Sequence, residues 1–526
     1  VHASSIIFVL LSAIVIVAVV AKRVGLPYPI AFVIGGSFLA FVPSLPSLNL
    51  DPQFVFLIFL PPLLYSGGWS TDWQSFKKLV RPIGLLAIGL VVATTGAVAV
   101  VAHALAPQLG WGSAFVLGAI VSPPDAVAAG AVFERFSVPR RIMTILDGEG
   151  LLNDATALVI YRFAVVAVVT GTFSLAHASV AFVAVAGGGV AIGFAFGWAI
   201  VAASIFMRKH DLSDYLIDNA LQLIAPYAVY LSGELLHVSG VLATVTAAIY
   251  VSRKSGSVYS AEGRLVAFAA WDLMIFLLNG LVFLLIGLQL RTIVRDPSFA
   301  YRELWIALVI SALVIVVRIA WVYPATYLPR LLSRRVRERE PFGGWRYVFV
   351  VAWSGMRGIV SLAGALALPV TTGARVPFPG RSEILFITFC VIFVTLVFQG
   401  LTLMPILKWL RIDGDNLESR EVEVRVAALR AGIARLREIE PEFNSTEEWE
   451  VEGRILGEYE YRIAHLLGHL DGGDNPLAVA FDHKMQQEAL DAENREITRM
   501  RETGEIPDEI FRKVQYDLDL ANERIS

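Results

Sequence analysis

Ser122 to Gly130 reads SPPDAVAAG and sits near the middle of an apolar run from about Trp111 to Phe133. The run is long enough to cross a bilayer, which takes about 20 mainly apolar residues in a helix. Pro123 and Pro124 nevertheless remove two backbone donors and clash with the preceding turn. The carbonyls freed one turn earlier must then be satisfied again or used as ligands. A carboxylate, Asp125, follows at once. A second apolar run carries the same kind of interruption in WSGMRGIVS, Trp353 to Ser361, where Gly355 and Gly358 bracket Met356 and Arg357. Two helices built to break, each with a charge at the break, define the expected architecture.

The rest of the chain supplies the matching context. Of its 526 residues 56% are hydrophobic and only 17% charged, with a mean hydropathy of +0.65. This is the composition of a polytopic membrane protein rather than of a soluble domain. Its net charge of -3 hides a segregation, because the charged residues crowd the C-terminal part from about Asp413 onward. The single cysteine, Cys390, excludes an intrachain disulfide. The run Ile6 to Ala21 has no positive region before it and is followed by Lys22 and Arg23, so it is read as a first span rather than a cleaved signal.

Thirteen spans are expected, at about 4–21, 27–43, 53–70, 83–105, 111–133, 141–169, 178–206, 216–236, 238–252, 265–290, 303–323, 346–371 and 383–409. Lys22, Arg23, Lys77, Lys78, Arg81, Arg135, Arg140, Arg141, Arg208, Lys209, Arg253, Lys254, Arg264, the cluster Arg330 to Arg346, Lys408 and Arg411 all fall after odd-numbered spans. The other loops hold few basic residues, chiefly Arg291, Arg295, Arg302, Arg375 and Arg381. Positive charge stays on the cytoplasmic side, so the N-terminus is expected outside and the C-terminus in the cytoplasm. The chain divides into a transmembrane domain, 1–411, and a cytoplasmic helical tail, 412–526. Val422, Val426, Leu429, Ile433 and Leu436 repeat at helical spacing in the tail, and Asn475-Pro476 and Gly504 to Pro507 punctuate its later helices. The tail fits either a packing unit or a regulatory one.

An ionisable side chain near the bilayer centre costs roughly 2.5–3.5 kcal/mol even on lenient insertion scales. Asp125, Asp147, Glu149, Asp154, Glu234, Asp272, Arg162, Arg318 and Arg357 all fall within spans. Depth sorts three of them. At 1.5 Å per residue, Asp125 lies roughly 15 Å inward from Arg135, Asp154 roughly 20 Å inward from Arg141, and Arg357 about 16 Å inward from Arg346. The two interrupted spans run in opposite directions, seven spans apart. That is the pattern of inverted-repeat transporters, whose ion sites form where broken helices cross at the midplane. The expected fold is therefore all-α, with inverted repeats and two crossing discontinuous helices.

SPPDAVA, DGEGLLNDATALVIYR, YLSGELLHVSGVLA, NGLVFLLIGLQL, GMRGIVSLAGALALP and FQGLTL occupy separate spans in this order. Together they resemble the sodium/proton exchanger family, in the branch of monovalent cation/proton antiporters marked by an Asn-Asp pair. The resemblance implies that Asp154 is the carboxylate shared by cation and proton, with Asp125 beside it as a second ligand of the transported Na+. It implies that Asn153 stands where electrogenic relatives hold a second carboxylate, that Glu149 pairs with Arg357, and that exchange is electroneutral in a homodimer of the plasma (inner) membrane. Helical spacing is compatible with two separate roles on one helix, since Glu149 and Asp154 are five apart and point away from one another.

Two departures from the family pattern stand out. Gly150 occupies the place where a serine is common, and Ser66 in PPLLYSGGW the place where many members carry a glutamate. Ser66, Ser122, water or the freed carbonyls are expected to supply the missing oxygens. The prolines here precede Asp125, whereas the family often has one after it.

The function expected is exchange of Na+, and with it Li+, for H+ by alternating access. Potassium/proton exchange is the alternative, followed by a passive cation channel or a membrane pH sensor. No phosphate loop, paired metal ligands or nucleophile motif rises above chance, so neither enzyme activity nor a cofactor is expected. The partners are monovalent cations, protons, membrane lipid and a second copy of the chain, with no nucleic acid.

Overall fold

The computed structural model describes the chain except for residues 1–2, 43–51, 134, 135, 137, 173, 213, 260, 292–300, 340–343, 373–375, 413, 415, 416, 440–445, 472–475, 504, 506, 508, 509, 512, 513, 516, 517 and 520–526. Arg135, Arg295, Arg375, Asp413, Asn475 and Gly504, used above, lie outside the described residues. Two compact units are present, Val1–Asp415 and Asn416–Ser526.

The first unit is helical. In chain order its main helices are α1 (Ala3–Val24), α2 (Tyr28–Leu39), α3 (Pro52–Ser70), α4 (Trp73–Lys78), α5 (Val80–Leu105), α6 (Gly110–Val121), α7 (Ala126–Phe133), α8 (Arg140–Thr170), α9 (Leu175–Lys209), α10 (Tyr215–Leu235), α11 (Gly240–Val258), α12 (Ala261–Leu288), α13 (Tyr301–Leu332), α14 (Trp345–Trp353), α15 (Ile359–Leu366) and α16 (Arg381–Leu410). Among the described residues, eight helical stretches are long and apolar enough to cross a membrane, the α6–α7 pair being one of them. The other expected spans fall on helices that are shorter, less apolar or interrupted, which length and composition alone do not mark as crossings.

Local chemistry sets several boundaries. Asp214 accepts from the N–H groups of Leu216 and Ile217, both at 2.8 Å, and starts α10. Ser239 accepts from Leu242 N–H and starts α11. Such caps satisfy donors that the first turn leaves free. Gly171, at φ 72°, takes the left-handed conformation that ends α8. Both α5 and α16 contain a π-helical stretch, Leu85–Leu90 and Val394–Gln399. These wider turns re-aim side chains and are frequent at functional sites.

Packing relies on small residues at helix crossings. A Cβ on Gly36 of α2 would overlap the Leu284 carbonyl of α12, and one on Gly287 would lie 2.6 Å from Ser37 N. Glycine on both sides lets these backbones touch, as in membrane helix pairs generally. One apolar cluster gathers Ile14, Ile30, Phe283, Val350, Met356 and Leu396 around the second break. Another gathers Val98, Leu117, Ile120, Ile310 and Ile387 around the first. The broken segments are thus held between two packed regions.

The second unit contains α17 (Leu417–Ile439), α18 (Thr446–Asp471) and α19 (Pro476–Glu502). Gly432 of α17 lies against the Tyr459 ring of α18. Arg499 donates to Glu496 and Glu505, and these bonds hold both carboxyls below the usual range.

Candidate functional site

α6 ends at Val121 and α7 begins at Ala126, with the two prolines between. α14 ends at Trp353 and α15 begins at Ile359. The two extended breaks cross, and Asp125 N–H donates to Met356 O at 2.6 Å. Four helix ends therefore meet: the C-termini of α6 and α14 with free carbonyls, and the N-termini of α7 and α15 with free N–H groups.

Several carbonyls at these helix ends have side-chain donors. Arg357 Nε donates to Val121 O at 3.1 Å, and its guanidinium also reaches Ser122 O and Gly355 O. Arg318, from the middle of α13, donates to Val351 O through Nε at 3.2 Å and Nη2 at 3.1 Å. Gln399, at the end of the π-helical stretch of α16, donates to Trp353 O at 2.9 Å. Asn153 Nδ2 donates to Pro124 O at 2.8 Å. Thr395 accepts from the backbone N–H of Arg357. The carbonyls of Val121, Pro124, Val351 and Trp353 are thus bound by protein donors, which argues against their use as cation ligands in this conformation.

The expected ion pair needs correction. Glu149 pairs with Arg318, not with Arg357. The contact is bidentate, Nη1 to Oε1 at 2.5 Å and Nη2 to Oε2 at 2.8 Å, with side-chain exposures of 0% and 1%. The physical reason is that Arg357 is consumed by the carbonyls of the α6 end, while Arg318 lies where it bridges Glu149 to the α14 end. Arg318 was among the buried charges visible in the sequence. The depth measure applied to Arg357 puts it roughly 18 Å from Arg330, a signal that could have found it. Glu234 pairs instead with Arg162 at 2.6 Å in a partly exposed position.

Asp125 is placed at the positive ends of two helices. Its Oδ1 accepts from Val127 N–H at 2.9 Å and Ala128 N–H at 3.4 Å and so caps α7. The same carboxylate interacts with Ile359 N–H of α15. Oδ2 lies against Gly358 without completing a hydrogen bond to a described residue. A side chain at Gly358 would overlap this carboxylate, and its Cγ would be 2.7 Å from the new Cβ. Gly358→Ala is therefore expected to cost about 1–3 kcal/mol, as overpacking does, and to reduce exchange strongly. Melting of the purified protein and flux in proteoliposomes check both.

A crevice of about 530 Å³ opens beside the crossing, and Asp125 and Asp154 both line it. The two carboxylates lie within electrostatic range of each other. Asp147, Asp272, Asn279, Ser66 and Ser361 also face it. Of these, the sequence marks Ser66 as a substitute ligand and Asp147 and Asp272 as charges within spans. Asn279 opens the motif NGLVFLLIGLQL and Ser361 lies in GMRGIVSLAGALALP, but neither is assigned a role from the sequence. Asp147 lies seven residues into α8 and Asp154 fourteen, so the acidic wall descends from roughly 10 to 21 Å along that helix.

Two residues of the expected site, Ser122 and Asn153, are not among those lining this crevice. Ser122 is fully buried and its hydroxyl donates to Ala119 O, 3.0 Å away on its own helix. A serine following a helical turn readily back-bonds in this way. Asn153 is also fully buried; its Nδ2 donates to the Pro124 carbonyl, and its Oδ1 has no hydrogen-bond partner among the described residues. At Gly150, an added Cβ would be 2.5 Å from the Ala126 Cβ, so glycine lets α7 pack on α8 beside Asp125.

The family model for the sodium/hydrogen exchanger, transmembrane, matches residues 8–409. The chain belongs to the sodium/hydrogen exchanger family. This is a family of cation/proton antiporters, transporters rather than enzymes. An uncharacterised Na+/H+ exchanger of Mycobacterium tuberculosis is 32% identical, over 99% of this chain and 96% of its own length. A sodium, potassium, lithium and rubidium/H+ antiporter of Bacillus pumilus is 34% identical over 84% of this chain and 66% of its own. The solved sodium/proton antiporter MjNhaP1 of Methanocaldococcus jannaschii has the same fold. It matches with a TM-score of 0.57 and 16% identity, covering 77% of this chain and 98% of that one.

Proposed function

We propose that this member of the exchanger family carries one Na+ in exchange for one H+ by alternating access, with Asp154 as the carboxylate that takes either. One observation carries the reading. The crevice holds Asp154 and Asp125, while the fully buried arginines nearby are engaged with Glu149 and with helix-end carbonyls. Among the described residues no basic side chain lies within 4 Å of either aspartate. A carboxylate leaving bulk water needs a proton or a cation.

Electroneutrality follows from the different surroundings of the two acids. Asp125 already faces the N–H groups of α7 and α15, whose helix dipoles favour an anion there. Asp154 has no such compensation, so one monovalent charge neutralises it. Desolvation favours the protonated form of a carboxylate, and a nearby cation favours the ionised form, so the two ligands exclude one another. If only the neutral, occupied site rearranges, each half-cycle moves one H+ or one Na+ and the bare anion stays in place. Sodium, a hard cation, takes oxygen ligands, which Asp154, Asp125, the nearby hydroxyls and water supply.

The distribution of basic loops supports thirteen crossings with the N-terminus outside and the C-terminus in the cytoplasm. In that orientation the acidic wall descends from the cytoplasmic end of α8, so the crevice faces inward. A second reading, potassium/proton exchange, is favoured by the Bacillus pumilus relative whose name includes potassium, lithium and rubidium.

Proton movement in proteoliposomes, followed by an internal pH dye during additions of Na+, Li+ and K+, tests the proposal. Sodium-driven flux that does not change when valinomycin and potassium clamp the voltage is the expected result, with the K+ tests run separately under a voltage-independent protocol. Flux that tracks voltage would show an electrogenic cycle, and proton movement indifferent to every cation would remove the exchange reading altogether.

A further inference from the structure

Away from the crevice, a cavity of about 80 Å³ opens where four helix ends reach one level. Arg81 comes from the start of α5, Arg141 from the start of α8, Arg330 from the last turn of α13, and Gly344 caps the start of α14. Among the described residues, every charged side chain in its wall is an arginine, and each of the three also has an interaction of its own. Three guanidinium groups around one cavity recognise a multiply oxygenated anion, because their planar forks match phosphate geometry. The N-terminal N–H groups of α14 add the positive end of a helix dipole, and Gly344 gives that end no side-chain cap.

The remainder of the wall is apolar, with Leu86, Ile145, Val322 and Val348, beside the ring of Tyr347. Chain neighbours of the lining residues carry the apolar character outward, since Val80, Leu331 and Trp345 are at least half exposed. A free phosphate would gain nothing from this border, whereas a lipid would place its acyl chains along it. The volume suits a headgroup phosphate, a water's share of the liquid being about 30 Å³. Basic pockets between membrane helices bind anionic headgroups in this way.

We propose that this cavity binds the phosphate of an anionic phospholipid. The occupant would touch the transport core directly. Val351 lines the cavity and also accepts from Arg318, and Ile145 lies one turn before Glu149 on α8. A lipid in this position ties the ends of α5, α8, α13 and α14 together beside the buried ion pair.

Native mass spectrometry of the purified full chain in detergent, with phosphatidylglycerol, phosphatidylcholine or inorganic phosphate added singly, tests the site without relying on exchange activity. One copy of phosphatidylglycerol is expected to bind more tightly than phosphatidylcholine. At about 1 kcal/mol per basic group, each of Arg81→Gln, Arg141→Gln and Arg330→Gln should weaken it roughly fivefold, and the triple variant roughly a hundredfold. The triple lysine variant keeps the charge and should keep most of the preference. If the triple glutamine variant does not elute as folded protein, the three single variants give the same reading. Equal binding of the two lipids, or a preference that the glutamine variants leave intact, overturns the proposal. Inorganic phosphate binding as tightly as phosphatidylglycerol, and lost in the same variants, would make the cavity a phosphate site and remove the lipid.

Discussion

Asp154→Asn is expected to abolish cation-coupled proton flux while leaving the folded yield and melting temperature of the protein at or above those of wild type. The separation of the two outcomes is the informative part. Asp154 makes no hydrogen bond or ion pair to a described residue, unlike Glu149, Asn153 or Asp125. Removing its charge therefore breaks no scaffold contact and relieves repulsion with Asp125, with which it interacts electrostatically. Losing the charged partner of a desolvated cation typically costs about 2–5 kcal/mol, and an amide cannot carry the returning proton. Ligand-induced stabilisation gives an independent readout, since a cation that binds only the folded protein raises its melting temperature. In wild type the Na+ effect should be present at high pH and fall as protons occupy the carboxyl, by up to tenfold in apparent affinity per pH unit below its pKa. The asparagine variant should show no Na+ effect at any pH. Retained exchange in a well-folded Asp154→Asn protein would sink the assignment.

The sequence disclosed the breaks because proline pairs and bracketed glycines are local signals with a local cause. It anticipated that Asp125, Asp154 and Arg357 come together because helical rise converts sequence separation into distance. Partner choice was a different matter. Glu149, Arg318 and Arg357 are all buried, and sequence spacing along three separate helices says nothing about how those helices rotate about their axes. The side-chain orientations of Ser122 and Asn153 were illegible for the same reason. Both carry the right chemistry for a cation, yet the Ser122 hydroxyl and the Asn153 Nδ2 donate to carbonyls around the proline break. The crevice wall added Asp147, Asn279 and Ser361, which converge only after α8, α12 and α15 have packed.

The corrected ion pair gives the second large effect, and it separates two arginines that look alike in the sequence. Arg318→Met leaves the Glu149 carboxylate buried without its bidentate partner and frees the Val351 carbonyl. Breaking a buried pair from one side usually costs about 3–5 kcal/mol, so folded yield in detergent should drop sharply. The double variant Glu149→Leu with Arg318→Met removes both charges and should recover much of that loss, because well-packed apolar pairs often replace buried ion pairs at little cost. Arg357→Met also destabilises, since Val121 and Gly355 lose a donor, but it leaves no carboxylate without its partner. A double-mutant cycle therefore discriminates between them. The coupling of Glu149 with Arg318 should be several times larger than that of Glu149 with Arg357, with thermal or denaturant unfolding as the measure. Equal couplings would mean that the carboxylate is shared between both guanidinium groups. The two arginines would then no longer be divided, Arg318 to the carboxylate and Arg357 to backbone carbonyls alone, in the way the hydrogen bonds divide them.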